Sequence, residues 1–362
     1  MLAASAQPGV LDRFTEWKDT LSCKVSCGRM QPPLRRVTLA LKPVDYTMVR
    51  FAFSPLWECV AGFRAWKDPS RHALLLPWLT RIKSALSGVD WTPLMALALV
   101  PRGMIPDFLV PPPATPSPKF TEELETLRNV PESVLRAEVK IAYPQGVPDE
   151  LKSLLRQPST LLNTVALLLS EFWRRAIAPD WGLIQSRLES EILFRARALA
   201  LGGFEGVFHD LHRYVHYKQG RLSIETISYW DGKLRKPGML LLPSVFAWPD
   251  AFLTVRPPWQ PTIVYPARGI AELWSKSEIP SPKGLSRVLG SPRAKILTRL
   301  QEPKTTKQLA CALLMSPASV SEQIMKLWQA GMLDRTRIGR NVFYVLSERG
   351  KTIFTLLERE HR

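Results

Sequence analysis

Near the C-terminus, between Ser316 and Leu346, the spacing of apolar residues changes from helical to alternating. In SPASVSEQIMKLWQAGML, Val320, Ile324, Leu327 and Met332 recur at helical spacing with Met325 and Trp328 beside them, which predicts a helix with one buried stripe. Ser316 suits the N-cap, and Pro317 suits the first helical position, where its missing N–H costs nothing. Ala330-Gly331 ends the helix, because glycine accepts the left-handed conformation. Leu333 to Ile338 and Asn341 to Leu346 then read as two strands about Gly339-Arg340, with Val342, Phe343, Tyr344 and Val345 as β-formers.

Upstream, Val37 to Lys42 reads as a strand, and Val44 to Phe53 and Leu56 to Trp66 read as helices, the second with Ser54 as N-cap and Pro55 in its first turn. Ala73 to Leu86 is amphipathic at helical spacing. PPPATPSP at 111–118 is extended chain, best placed as a surface loop. Phe120 to Lys218 is mostly helical: Leu161 to Ile177, Trp181 to Leu201, and a short helix over Phe204 to Tyr217. After Gly220 short strands follow at Leu222–Thr226, Met239–Leu242, Ser244–Ala247 and Thr262–Tyr265. SKSEIPSPKG, residues 275–284, has the composition of a linker.

On the predicted helix after Ser316, the side opposite the apolar stripe carries Ser319, Ser321, Glu322, Gln323 and Lys326, side chains suited to a major groove. Arg335, Arg337 and Arg340 decorate the hairpin, where they would meet phosphates or the minor groove. With the preceding helix around QLACALL, the order is that of a winged helix-turn-helix.

At these residues the segment from Leu285 to Leu357 resembles the DNA-binding domain of ArsR-type winged-helix transcription regulators. SPASVSEQIMKLWQAGML matches the family's recognition helix and RTRIGRNVFYVL its wing. The resemblance implies a dimer that reads duplex DNA. Metal-sensing members carry paired cysteines on the helix before the recognition helix, whereas here Cys311 stands alone, which weakens metal sensing. FSPLWE, LLLPSVFAWPD and WQPTIVYPARGIAELW are similar to the large N-terminal domain, of unassigned function, that precedes the winged helix in some bacterial regulators of this type.

Charge points the same way. The 362-residue chain has a formal net charge of +17, and residues 285–362 hold 14 Lys and Arg against 6 Asp and Glu. A polyanionic partner follows, nucleic acid before membrane. Cys23, Cys27, Cys59 and Cys311 are too few for a disulfide framework in so long a chain, and the longest apolar run, Leu161 to Leu169, is too short to span a bilayer. His209, His212 and His216 lie on one predicted helix, and the pair His212 and His216, at i and i+4, could share a metal only with ligands from elsewhere; a polar helix face or satisfied packing histidines is the preferred account, and no metal is expected. No nucleophile elbow, zinc-protease motif, phosphate loop or dinucleotide fingerprint is present, so no catalytic residue is nominated.

The expected fold is α+β: an arm at 1–36 (or sequence ahead of a start at Met30), a mostly helical sensor or dimerisation domain with short strands at 37–274, a linker at 275–284, and a winged helix-turn-helix domain at 285–362. The expected function is a cytoplasmic, homodimeric DNA-binding transcription regulator without enzyme activity or cofactor. Ser316, Ser319, Ser321, Gln323 and Lys326 would read the groove and Arg335, Arg337 and Arg340 would hold the backbone. Ile353, Phe354, Leu356 and Leu357 would form the dimer contact. A small-molecule effector in the tryptophan-rich N-terminal domain is a further expected partner. The alternatives are an enzyme or metal-binding protein acting through that domain, and a non-specific architectural DNA-binding protein.

Overall fold

A computed structural model describes residues 35–100, 104–226, 234, 236–274, 283–313, 315–338 and 341–358. Residues 1–34, most of the expected linker, and Gly339 and Arg340 lie outside the described residues. The N-terminal body opens with β1 (Arg35–Ala40), α1 (Pro43–Thr47), β2 (Val49–Phe51) and α2 (Pro55–Lys67). It continues with α3 (Leu76–Ile82), α4 (Thr92–Ala98), α5 (Phe120–Arg128), α6 (Glu132–Ala142), α7 (Asp149–Leu155), α8 (Pro158–Phe172) and the long α9 (Trp181–Phe208). Strands β3 (Val215–Lys218), β4 (Arg221–Thr226), β5 (Met239–Ser244), β6 (Phe252–Thr254) and β7 (Thr262–Pro266) lead to α10 (Ile270–Trp274). The C-terminal unit follows as α11 (Lys283–Leu289), α12 (Ser291–Arg299), β8 (Lys304–Thr305), α13 (Thr306–Leu313), α14 (Pro317–Gln329), β9 (Leu333–Ile338), β10 (Asn341–Leu346) and α15 (Glu348–Glu358). The fold class is α+β.

The body is organised by a four-stranded sheet in the order β2-β5-β7-β6, in which β2, β5 and β7 run parallel and β6 is antiparallel to β7. Every residue of β5 is buried, as a central strand covered on both faces requires. Alternation sends Leu240, Leu242 and Val264 into the helical core on one side, and Met239, Leu241, Ile263 and Tyr265 into a smaller core on the other. That smaller core is completed by the antiparallel sheet β1-β4-β3.

Three sequence expectations need correction here. Of the expected helix Val44–Phe53 only the first four residues are helical, within α1 (Pro43–Thr47); Val49–Phe51 is a strand paired with β5, too short for its period to be read. The two strands expected at 239–242 and 244–247 are one strand ending at Ser244. The expected helix from Phe204 to Tyr217 ends at Phe208, after a break at Gly203 (φ 58°), and Val215–Lys218 pairs with β4 instead. In the first case the strand partner lies about 190 residues along the chain, whereas β3 pairs with β4 just beyond Gln219 and Gly220; in both, strand pairing overrides the local pattern.

In the C-terminal unit, α12, α13 and α14 pack on one face of an antiparallel sheet ordered β8-β10-β9. Its core comprises Leu285, Ile296, Leu297, Leu309, Val320, Ile324, Leu327, Leu346 and their neighbours, and shares no residue with the two body cores. Gly350, in the first turn of α15, allows a close crossing: a Cβ there would come within 2.1 Å of the Met332 carbonyl oxygen. No helix among the described residues is long and apolar enough to cross a membrane.

Candidate nucleic-acid interface

Helix α14 is closed at both ends by local chemistry. Ser316 Oγ accepts the Ser319 N–H at 3.1 Å, and Pro317 occupies the first turn. At the other end Gly331 is left-handed (φ 71°). Its N–H donates to the Trp328 carbonyl at 2.8 Å, and the Met332 N–H donates to the Leu327 carbonyl at 3.0 Å, the bond pair of a Schellman motif. Val320, Ile324 and Leu327 are buried; Pro317, Ala318, Ser321, Glu322, Met325, Lys326 and Gln329 are exposed.

The proposed reading residues therefore separate. Ser321 and Lys326 stand on the open face, Ser319 and Gln323 flank it half-buried, and the Ser316 hydroxyl, although its residue is exposed, is engaged in the cap. Lys326 Nζ lies 2.7 Å from Glu322 Oε1, an exposed pair that a phosphate or base could displace at little cost. The bond from Lys326 holds the Glu322 carboxyl below its ordinary range. Met325, which the sequence reading assigned to the apolar side, is 42% exposed on this face.

In the hairpin, Arg335 pairs with Tyr344 and Arg337 with Val342, while Leu333 pairs with Leu346. Alternation puts both exposed arginines on the sheet face whose Leu333 and Leu346 enter the core beside α14. The Arg335 guanidinium stacks 4.2 Å over the Trp328 ring of α14, tying hairpin and helix together. The sequence shows the two residue types; their meeting depends on how β9 turns back after Gly331. Arg340 falls outside the described residues, as does the Cys311 side chain.

Of the expected dimer residues, Phe354 is 6% exposed and belongs to the core of the C-terminal unit, with Leu357 packed against that core. Ile353 is half-buried. Leu356 is 62% exposed on α15, and Val288 is 65% exposed on α11, which packs against α15.

The histidine candidates also separate. His212 follows α9 in a turn, and His216 lies on β3, so the two do not share a helix face. His212 Nδ1 accepts the Tyr214 N–H at 3.3 Å, which leaves Nε2 to donate to the Pro249 carbonyl at 3.1 Å. Among the described residues no group of three or more His, Cys, Asp or Glu is placed to hold a metal ion.

Inside the body the tryptophans are chiefly structural: Trp57, Trp78 and Trp91 are buried, and Trp66, Trp173, Trp181, Trp248, Trp259 and Trp274 pack against the main core. Trp57, Ser54 and Pro111–Pro113 line a cleft against Leu242, Thr254 and Val264 whose free space admits about one water molecule. Four carboxyls are enclosed nearby. Glu58 Oε2 accepts the Val245 N–H at 2.9 Å, and Glu123 Oε2 accepts the Leu56 N–H at 2.8 Å. Asp107 accepts from Thr254 Oγ1 at 2.8 Å, and Glu138 accepts from the Phe108 N–H and Trp259 Nε1, both at 2.7 Å. Burial raises all four: Glu58 to about 8, Glu123 to about 7, Asp107 to about 7 with help from the neighbouring Glu138 charge, and Glu138 above its ordinary range.

Residues 137–271, from within α6 to the start of α10, match a family of unknown function (DUF5937). No curated protein and no solved structure matches the chain.

Proposed function

We propose that the protein is a cytoplasmic DNA-binding transcription regulator without catalytic activity, whose C-terminal unit is a winged helix-turn-helix of ArsR-like type. The observation that carries this reading is α14: a doubly capped helix presenting Ser321, Lys326 and Gln329 to solvent beside a hairpin bearing Arg335 and Arg337. In this reading α14 enters the major groove and the hairpin meets the backbone. The excess of Lys and Arg over Asp and Glu in residues 285–362 supports it. A small-molecule effector would act through the body.

Titration with duplex DNA over a range of salt concentrations tests the assignment. The double substitution Arg335→Ala and Arg337→Ala is expected to weaken binding to every sequence and to flatten the log K against log salt slope by about one per lost phosphate contact. An unchanged slope would remove the hairpin from the interface. Gln323→Ala is expected to relax sequence preference; equal loss on all duplexes would show that Gln323 does not read bases.

In this reading the protein dimerises through α11 and α15, a choice supported by the exposed apolar side chains Val288 and Leu356. Leu356→Asp is expected to give a monomer by light scattering without loss of helical signal. Unchanged mass would exclude this surface as the dimer contact.

A further inference from the structure

We propose that α9 latches the β9–β10 hairpin through Glu189 and Asn341, and that opening this contact frees the hairpin for duplex DNA. The proposal rests on the DNA-binding reading above. Asn341 is the first residue of β10, paired with Ile338 at the end of β9, and its Nδ2 donates to Glu189 Oε2 at 2.6 Å across 152 residues of sequence. Glu189 is itself held in place, since Gln185 Nε2 donates to its Oε1 at 2.9 Å. Earlier on α9, Ser186 Oγ lies 3.3 Å from Thr305 Oγ1, and Arg187 Nη1 lies 2.8 Å from Glu302 Oε2. Gly269, left-handed at φ 70°, leaves room for that arginine, because a Cβ there would meet its Nη1 at 2.6 Å.

The strand register shows what α9 covers. Thr305 pairs with Phe343, two residues beyond Asn341, so these three side chains share one face of the sheet. The opposite face carries Tyr344 and Leu346 into the core of the C-terminal unit. Phe343 is 1% exposed yet belongs to none of the three cores; it is shielded on the side where α9 lies.

Two features mark this seam as a latch. It is joined mainly by hydrogen bonds and ion pairs, with Lys304 and Arg299 adding pairs to Glu272 of α10 at 3.8 and 3.5 Å. Polar interfaces of this kind between units of one chain resemble transient interfaces and can reopen. Glu189 also fixes an anion at the start of β10, where an approaching phosphate would be repelled. The latched position thus restrains the hairpin and places the wrong charge beside it. Since α9 lies in the body, an event there that shifts the helix is transmitted directly to the hairpin.

The test uses the full chain and the variants Glu189→Ala, Asn341→Ala, the double variant, and Glu189→Gln. Amide hydrogen exchange is followed over residues 333–346, and affinity is measured for a short random-sequence duplex at fixed salt. Each alanine variant is expected to speed exchange in the hairpin and tighten duplex binding by about three- to ten-fold, the weight of one hydrogen bond. The double variant is expected to do no more than Glu189→Ala in either readout, and to exceed Asn341→Ala only in duplex binding, because Asn341→Ala leaves the Glu189 carboxylate in place. Glu189→Gln, which keeps an acceptor for Asn341, is expected to retain wild-type exchange. Unchanged exchange in the alanine variants would overturn the latch. Weaker duplex binding in both would overturn it too, because the contact would then position the hairpin for DNA. If no form binds duplex while exchange still rises, the DNA-binding reading fails and the mechanical restraint stands.

Discussion

Replacing Arg195 with methionine is expected to lower the unfolding free energy by about 3–5 kcal/mol, the usual effect of removing one partner from a buried ion pair. Arg195 is 0% exposed at the centre of α9. Its Nε donates to Glu191 Oε1 at 2.8 Å, and its Nη1 donates to the Val207 carbonyl at 3.0 Å and to the Asp210 carboxylate. Burial opposes the charge, but Glu191, Tyr265 and Asp210 outweigh it and hold the guanidinium above its ordinary range. Methionine fills much of the volume and supplies none of the donors. Glu191 would keep only Arg268, whose Nε lies 2.8 Å from its other oxygen, and the Val207 carbonyl would lose its bond from Arg195. Urea unfolding measures the loss. A change below about 1 kcal/mol would show that Arg268 alone neutralises Glu191. Replacing both Arg195 and Glu191 with methionine is expected to recover part of the stability, because the charges that then lose a partner, Arg268 and Asp210, are partly open to water.

The second large effect concerns pH. Glu58 has its pKa raised from an ordinary 4.5 to about 8 by burial, against which its hydrogen bonds to Ser244, Val245 and Phe246 pull weakly. A folded state with a raised carboxyl pKa binds more protons than the unfolded chain between those two values. The stability that Glu58 contributes is therefore full below about 4.5 and is lost as pH rises towards about 8. Glu123 and Asp107, each raised to about 7, act with the same sign over a narrower window. From pH 5 to pH 8 the protein is expected to lose several kcal/mol of stability, Glu58 being the largest contributor. Glu58→Gln imitates the neutral carboxyl and is expected to flatten this decline while leaving stability near pH 5 little changed. Thermal unfolding of both forms across the range provides the check. Parallel curves would mean that Glu58 is ionised in the folded protein at neutral pH.

How much of this could be read from the residues depends on the range over which each feature is set. Helix α14 was legible because its determinants are local: Ser316 reaches the Ser319 N–H three residues on, and Gly331 satisfies the frayed carbonyls beside it. The strands of the hairpin were legible for the same reason, from the β-formers Val342, Phe343, Tyr344 and Val345 and the alternation before them. Strand β2 was not, because three residues carry no period and it is defined by hydrogen bonding to β5, about 190 residues away. The histidine cluster misled because equal spacing looks the same on a helix and on a turn leading into a strand. Phe354 was expected at a dimer contact because an apolar stripe on a helix does not say whether it faces its own core or a second chain.

Local chemistry therefore settled where α14 begins and ends, which stretch alternates as a hairpin, and where positive charge accumulates. These follow from contacts within one turn of helix or one strand pair. Tertiary packing assigned the faces: Met325 to solvent, Phe354 to the core, Arg335 to Trp328, and Asn341 to Glu189. It also set the protonation of Glu58, since a carboxyl changes its pKa only when the chain closes over it. Burial and long-range pairing depend on residues far apart in the chain, and no short window of sequence contains both partners.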